Sequence, residues 1–118
     1  YAEMLRFGLA RGAKAETLAG LCGLGDLVLT CSSTSSRNFS LGLALGQGLT
    51  AAEALQGKNS VAEGAATAPV LGELAARDGI AMPIVDAVCR LLSGESPAHA
   101  VVADILSRPL RAEQERSA

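Results

Sequence analysis

Pro83 is followed by Ile84, Val85, Val88, Leu91 and Leu92, an apolar series spaced i, i+1, i+4, i+7, i+8 behind a residue suited to a first helical turn. That pattern commits the segment to an amphipathic helix, and a helix with one apolar stripe needs other elements to cover it. The rest of the chain offers mainly more helix. Hydrophobic residues fill 49% of the 118 positions but aromatics only 3%, so Leu, Ala and Val must build the core. Ala and Leu lose little on entering a helix, while the β-branched and aromatic residues that favour strands are scarce.

Punctuation along the chain divides it into short helices. Tyr1 to about Arg11 reads as the tail of an amphipathic helix stopped by Gly12, and a short helix is expected from Glu16 to Leu21. Asp26 to Cys31 fits helix or strand. Ser32 to Ser36 is a hydroxyl-rich linker, and Arg37 to Leu45 is expected to be helical. Thr50–Glu53 and Ser60–Glu63 both match a capping box, in which side chain and backbone satisfy each other's unpaired groups. Ala65 to Arg77 follows, with Val70, Leu71 and Leu74 on one face and Gly79 as the stop. Ser96-Pro97 opens a last helix carrying Val101, Val102, Ile105 and Leu106, ended by Arg108-Pro109. The expectation is one compact all-α, multi-helix domain over residues 1–118, with four to six short helices around its core and a frayed tail at 108–118.

Charge and cysteine usage exclude several function classes. The net charge is −2 with no basic run, so nucleic acid is not an expected partner. Cys22, Cys31 and Cys89 are odd in number and form no C-x-x-C pair, which suits reduced thiols in a cytoplasmic protein and no metal site. No apolar run approaches the roughly 20 residues of a membrane span, so membrane insertion is not expected, and no signal peptide opens the chain. The sequence starts at Tyr1 without Met, already inside the helical pattern Ala2-Glu3-Met4-Leu5-Arg6. It is therefore expected to be a fragment of a longer protein.

The chemistry-bearing residues stand out by isolation. Between Leu18 and Ala52 the only charged residues are Asp26 and Arg37, set among glycines, serines and aliphatic residues. Such spacing suggests a partly buried pocket in which both charges have roles. Arg37-Asn38 follows five consecutive hydroxyl residues at an expected helix start, where unpaired N–H groups and the helix dipole attract anions. A guanidinium adds a forked donor suited to phosphate, and Asn38 adds a neutral amide. An ordinary N-cap with Arg37 in solvent explains the same pattern. Asp26 can likewise be a cap or a functional acid, Thr30 reads as a packing residue, and the capping box accounts for Glu63. No G-x-G-x-x-G follows a strand, so the chain carries no dinucleotide-binding loop of its own.

The stretch Gly20-Leu-Cys-Gly-Leu-Gly-Asp-Leu-Val-Leu-Thr-Cys31, followed by Ser36-Arg37-Asn38, resembles the signature of the NAD(P)-dependent glycerol-3-phosphate dehydrogenases, in its bacterial branch. Ala2–Gly8, Leu45–Gly48, Val61–Gly64 and Met82–Ile84 resemble further landmarks of the family, in order and at its spacing. The resemblance implies a two-domain enzyme. An N-terminal Rossmann domain would bind most of NAD or NADP, and this chain would be the helical substrate domain, related to the C-terminal domain of 6-phosphogluconate dehydrogenase.

The implied reaction is the reversible reduction of dihydroxyacetone phosphate to sn-glycerol 3-phosphate, supplying glycerophospholipid synthesis. Asp26 would support a catalytic lysine that lies upstream of Tyr1, a position that neither Lys14 nor Lys58 occupies. Ser36, Arg37 and Asn38 would hold substrate, Thr30 would stand near it, and Arg37, Val61 and Glu63 would reach the cofactor. Expected partners are the substrate, the chain's own Rossmann domain and a second copy in a homodimer. A stand-alone helical interaction module derived from such an enzyme is the alternative.

Overall fold

A computed structural model of the chain describes residues 1–56 and 62–110. Among them every regular element is helical. The order is α1 (Ala2–Ala10), α2 (Ala15–Leu18), a π-helical turn (Leu21–Gly25), α3 (Asp26–Thr30), α4 (Arg37–Gly46), α5 (Ala51–Leu55), α6 (Glu63–Arg77), α7 (Pro83–Leu92) and α8 (Ala98–Leu106). The described residues adopt the expected all-α architecture, with eight α-helices and one π-helical turn against an expectation of four to six helices. Asp26–Thr30, open to either reading by pattern, is helix.

Local chemistry explains most boundaries. Gly12 and Gly79 follow α1 and α6 at φ +82° and +68°, a backbone region that Cβ-bearing residues avoid. Thr50 and Glu53 form the capping box that starts α5: the Glu53 N–H donates to Thr50 Oγ1, and Glu53 Oε2 accepts from the Thr50 N–H at 2.8 Å. Those bonds to Thr50 hold the Glu53 carboxyl below its usual pKa.

Two of the expected segments are corrected. The helix expected at Glu16–Leu21 ends at Leu18, because Gly20 is extended and the chain restarts as the π-helical turn. That turn packs so tightly on α2 that a Cβ at Gly23 would lie 2.0 Å from the Leu18 carbonyl oxygen. The second capping box would make Glu63 the third residue of α6, whereas Ala62 is its N-cap and Glu63 its first residue. Ser60, Val61 and residues 111–118 of the tail lie outside the described residues. The apolar faces are covered only in part: Val70, Ile84, Val102 and Leu106 are all more than half exposed.

Helix α7 packs between α6 and α8, and α4 packs on α5, α6 and α8. Leu41, Ala54 and Ala62 form a small buried centre, with Ala44, Leu45, Ala65 and Leu92 against it. The whole α7 stripe, with Leu41 and Leu45 of α4 and Ala68 and Leu71 of α6, lines an apolar groove of about 350 Å³.

The first helix is tied to the seventh by one buried acid. Glu3, 9% exposed, accepts from the Ile84 N–H at 2.7 Å and the Val85 N–H at 3.2 Å. These are first-turn N–H groups of α7 that have no partner within the helix, and the dipole there favours an anion. Arg6 reinforces the join by donating to the Ala81 carbonyl at 3.0 Å. Glu3→Ala is expected to cost about 2–3 kcal/mol in chemical denaturation, the range for a lost cap with part-buried donors left unpaired. Glu3→Gln keeps one acceptor oxygen and should lose less. A change under about 0.5 kcal/mol, the level of ordinary surface substitutions, would contradict the cap.

Candidate functional site

The hydroxyl run folds into a turn that delivers α4. The Ser35 N–H donates to Ser33 Oγ at 3.1 Å, and Ser40 Oγ reaches back to the Thr34 carbonyl at 2.7 Å. Ser36, extended at the N-cap, accepts from the Phe39 N–H at 3.3 Å. Local hydroxyl chemistry therefore aims the start of α4, and Arg37 and Asn38 are its first two residues.

A second helix start meets it. Asn38 Oδ1 accepts from the Gly64 N–H at 2.9 Å, joining the first turn of α4 to that of α6. Glu63, the first residue of α6, thereby comes to the same cleft as Arg37. Thr30, at the end of α3, forms another wall. The cleft has a volume of about 310 Å³ and is bordered by Thr30, Ser35, Ser36, Arg37, Asn38 and Glu63.

Of the residues singled out in the sequence, Thr30, Ser36, Arg37, Asn38 and Glu63 are thus brought together. Asp26 is not among the lining residues. It is the first residue of α3, one turn before Thr30 and on the same face of that helix. Val61 lies outside the described residues. In this chain by itself Asp26, Arg37 and Asn38 are all exposed, bordering an open cleft. A charge-poor stretch has the same composition whether it encloses a pocket or borders an open cleft.

The hydrogen bonds limit what each group can offer. Thr30 Oγ1 donates to the carbonyls of Asp26 (2.9 Å) and Leu27 (3.2 Å), so its hydroxyl is left chiefly as an acceptor. Ser36 Oγ is engaged as a cap but retains its own hydrogen. Asn38 has its oxygen engaged, and among the described residues its Nδ2 hydrogens have no partner. Among the described residues Arg11, Arg77 and Arg90 each pair with a carboxylate, and Arg37 forms no such pair. A guanidinium, an amide N–H₂ and a helix start converge here, an arrangement able to receive a phosphate-sized anion.

Two participants were not among the candidate site residues. Ser35 borders the cleft as one of five similar hydroxyl residues, and Gly64 enters through its backbone. Among the described residues no group of three His, Cys, Asp or Glu side chains could hold a metal ion. None of the described helices is long and apolar enough to cross a membrane.

Comparison with known proteins gives a consistent result. A family model described as "NAD-dependent glycerol-3-phosphate dehydrogenase C-terminus" matches residues 1–103. The chain is 70% identical, over its whole length, to glycerol-3-phosphate dehydrogenase [NAD(P)+] of Erythrobacter litoralis, and covers 36% of that protein. It is 58% identical over 113 residues to the Caulobacter vibrioides protein of the same name, covering 96% of the chain and 34% of the relative. A crystal structure of glycerol-3-phosphate dehydrogenase from Coxiella burnetii superposes with a TM-score of 0.86 at 42% identity, over 90% of this chain and 33% of that one. The chain thus spans about a third of the length of the relatives it matches.

Proposed function

Because the chain belongs to the family of the NAD-dependent glycerol-3-phosphate dehydrogenase C-terminus, we propose that it is the substrate-binding half of an enzyme that reduces dihydroxyacetone phosphate to sn-glycerol 3-phosphate. The whole protein would be completed by an N-terminal Rossmann domain, and its product would supply glycerophospholipid synthesis. The observation that carries this reading is the meeting of two helix starts: Ser36, Arg37 and Asn38 on α4 face Glu63 on α6 across one cleft.

Each residue then has a role its chemistry suits. Arg37 takes the substrate phosphate with its fork, Asn38 donates from Nδ2, and the first turn of α4 contributes N–H groups and its dipole. Ser36 and Thr30 offer hydroxyl oxygens beside the substrate. Arg37 and Glu63 form the edge of the chain that meets NAD or NADP, and Val61 is assigned to the cofactor on the family resemblance alone. The cofactor, when bound, supplies the hydride for the ketone carbon. Holding the substrate in the orientation that receives it is this chain's share of catalysis. Asp26, exposed on α3, is assigned to the face toward the Rossmann domain, where it orients the upstream lysine that donates the proton to the carbonyl oxygen. Balance requires one hydride and one proton for each ketone reduced to alcohol.

The test uses the full-length enzyme. NADH or NADPH oxidation should be rapid with dihydroxyacetone phosphate and far slower with dihydroxyacetone, which lacks the group Arg37 holds. Equal kcat/KM for the two ketones would sink the assignment. In the same assay Asp26→Asn should lower kcat much more than it raises KM, since the phosphate contacts are untouched. An unchanged kcat with a lower melting temperature would instead make Asp26 a structural cap.

A further inference from the structure

A glycine at position 64 needs a reason. It is the second residue of α6, where alanine would serve the helix better, and it is not among the glycines with positive φ. The backbone there would accept any residue. What would not accept a side chain is Asn38. A Cβ on Gly64 would lie 2.8 Å from Asn38 Oδ1, 3.1 Å from Cγ and 3.4 Å from Nδ2. The whole amide would have to move, and it can do so cheaply because it ends an exposed, flexible side chain.

The contact also fixes which way the amide points. A backbone N–H can only donate, so the atom bonded to it must be the Asn38 oxygen, which leaves the Nδ2 hydrogens for other acceptors. We propose that Gly64 is a positioning residue for the substrate site: its N–H and its missing Cβ hold the Asn38 amide in the one orientation that offers a donor to the substrate phosphate. The start of α6 thus controls a group carried by α4, linking the edge assigned to the cofactor with the corner assigned to the phosphate. This inference rests on the reading of Asn38 as a substrate-holding residue.

The experiment is a double-mutant cycle in the full-length enzyme with Gly64→Ala and Asn38→Ala, plus Asn38→Asp as a separate arm. Gly64→Ala should melt no lower than wild type and raise KM for dihydroxyacetone phosphate about tenfold, the scale of one lost charge-assisted hydrogen bond. Its kcat should change little. Added to Asn38→Ala, it should cost nothing further, because the group it positions has gone. Asn38→Asp keeps an oxygen for the Gly64 N–H, so its melting temperature should hold. Its KM should rise more than that of Asn38→Ala, because a carboxylate then faces the phosphate.

The ways to fail are distinct. If Asn38→Ala and Asn38→Asp both keep the wild-type KM, the reading of Asn38 is wrong and the inference goes with it. If those two lose affinity while Gly64→Ala does not, Asn38 stands and the positioning role of Gly64 is overturned. Losses that add in full across the cycle, or a Gly64→Ala enzyme that melts lower with kcat and KM equally disturbed, overturn it as well.

Discussion

Arg37→Ala in the full-length enzyme should lower kcat/KM for dihydroxyacetone phosphate about 10- to 150-fold, the equivalent of roughly 1.5–3 kcal/mol for a forked, charge-assisted contact to a dianion. Most of the loss should appear in KM, because the phosphate is held alike in the ground and transition states. Arg37 is exposed and, among the described residues, forms no ion pair. The fold therefore asks little of it, and the variant should melt like wild type. Arg37→Lys should recover part of the loss, since an ammonium keeps the charge but not the fork. If Arg37 is only a solvated residue behind the Ser36 cap, both variants will show wild-type kinetics. A folded Arg37→Ala enzyme with an unchanged KM ends the phosphate assignment.

The isolated chain, by contrast, should show no turnover at all. Purified residues 1–118 are expected to leave NADH unoxidised in the presence of dihydroxyacetone phosphate. The sequence contains no G-x-G-x-x-G loop following a strand. Its resemblance to the dehydrogenases puts the proton-donating lysine upstream, and Lys14, exposed beside α2, is far from that role in sequence pattern. General acid catalysis alone is worth about 10²- to 10⁴-fold, and without a hydride donor held in place there is nothing for it to accelerate. Turnover above a buffer blank that survives repurification would overturn the division of labour between the two domains.

The features legible in the sequence are those whose causes are local. The α7 stripe behind Pro83, the Thr50–Glu53 box, the Gly12 and Gly79 stops and the Ser36 cap each depend on residues a few positions apart, and each is present. The Ser60–Glu63 box is the instructive exception. Its spacing fits a cap, yet the helix begins at Glu63, because an extended Ala62 sets the start. Contacts made across the fold left no such trace. Asn38 and Gly64 are 26 positions apart, and Glu3 and Ile84 are 81 apart. Glu3 lies in a helical pattern in which nothing near it tells that its carboxylate caps another helix. Exposure misled for a related reason: Val70 and Ile84 keep helical period whether or not a neighbour covers them.

That bond between residues 3 and 84 has a kinetic meaning as well. The carboxylate can receive the α7 N–H groups only after the intervening chain has folded back, so the closure of a long loop precedes it. The entropy of such closure grows slowly with length, but no short-range event can form the contact early. A contact made after the rate-limiting step leaves the folding rate alone when it is removed and speeds unfolding instead. Should the Glu3 contact form after that step, Glu3→Ala would speed unfolding and leave folding unchanged, which denaturant-dependent kinetics would read as a φ-value near zero.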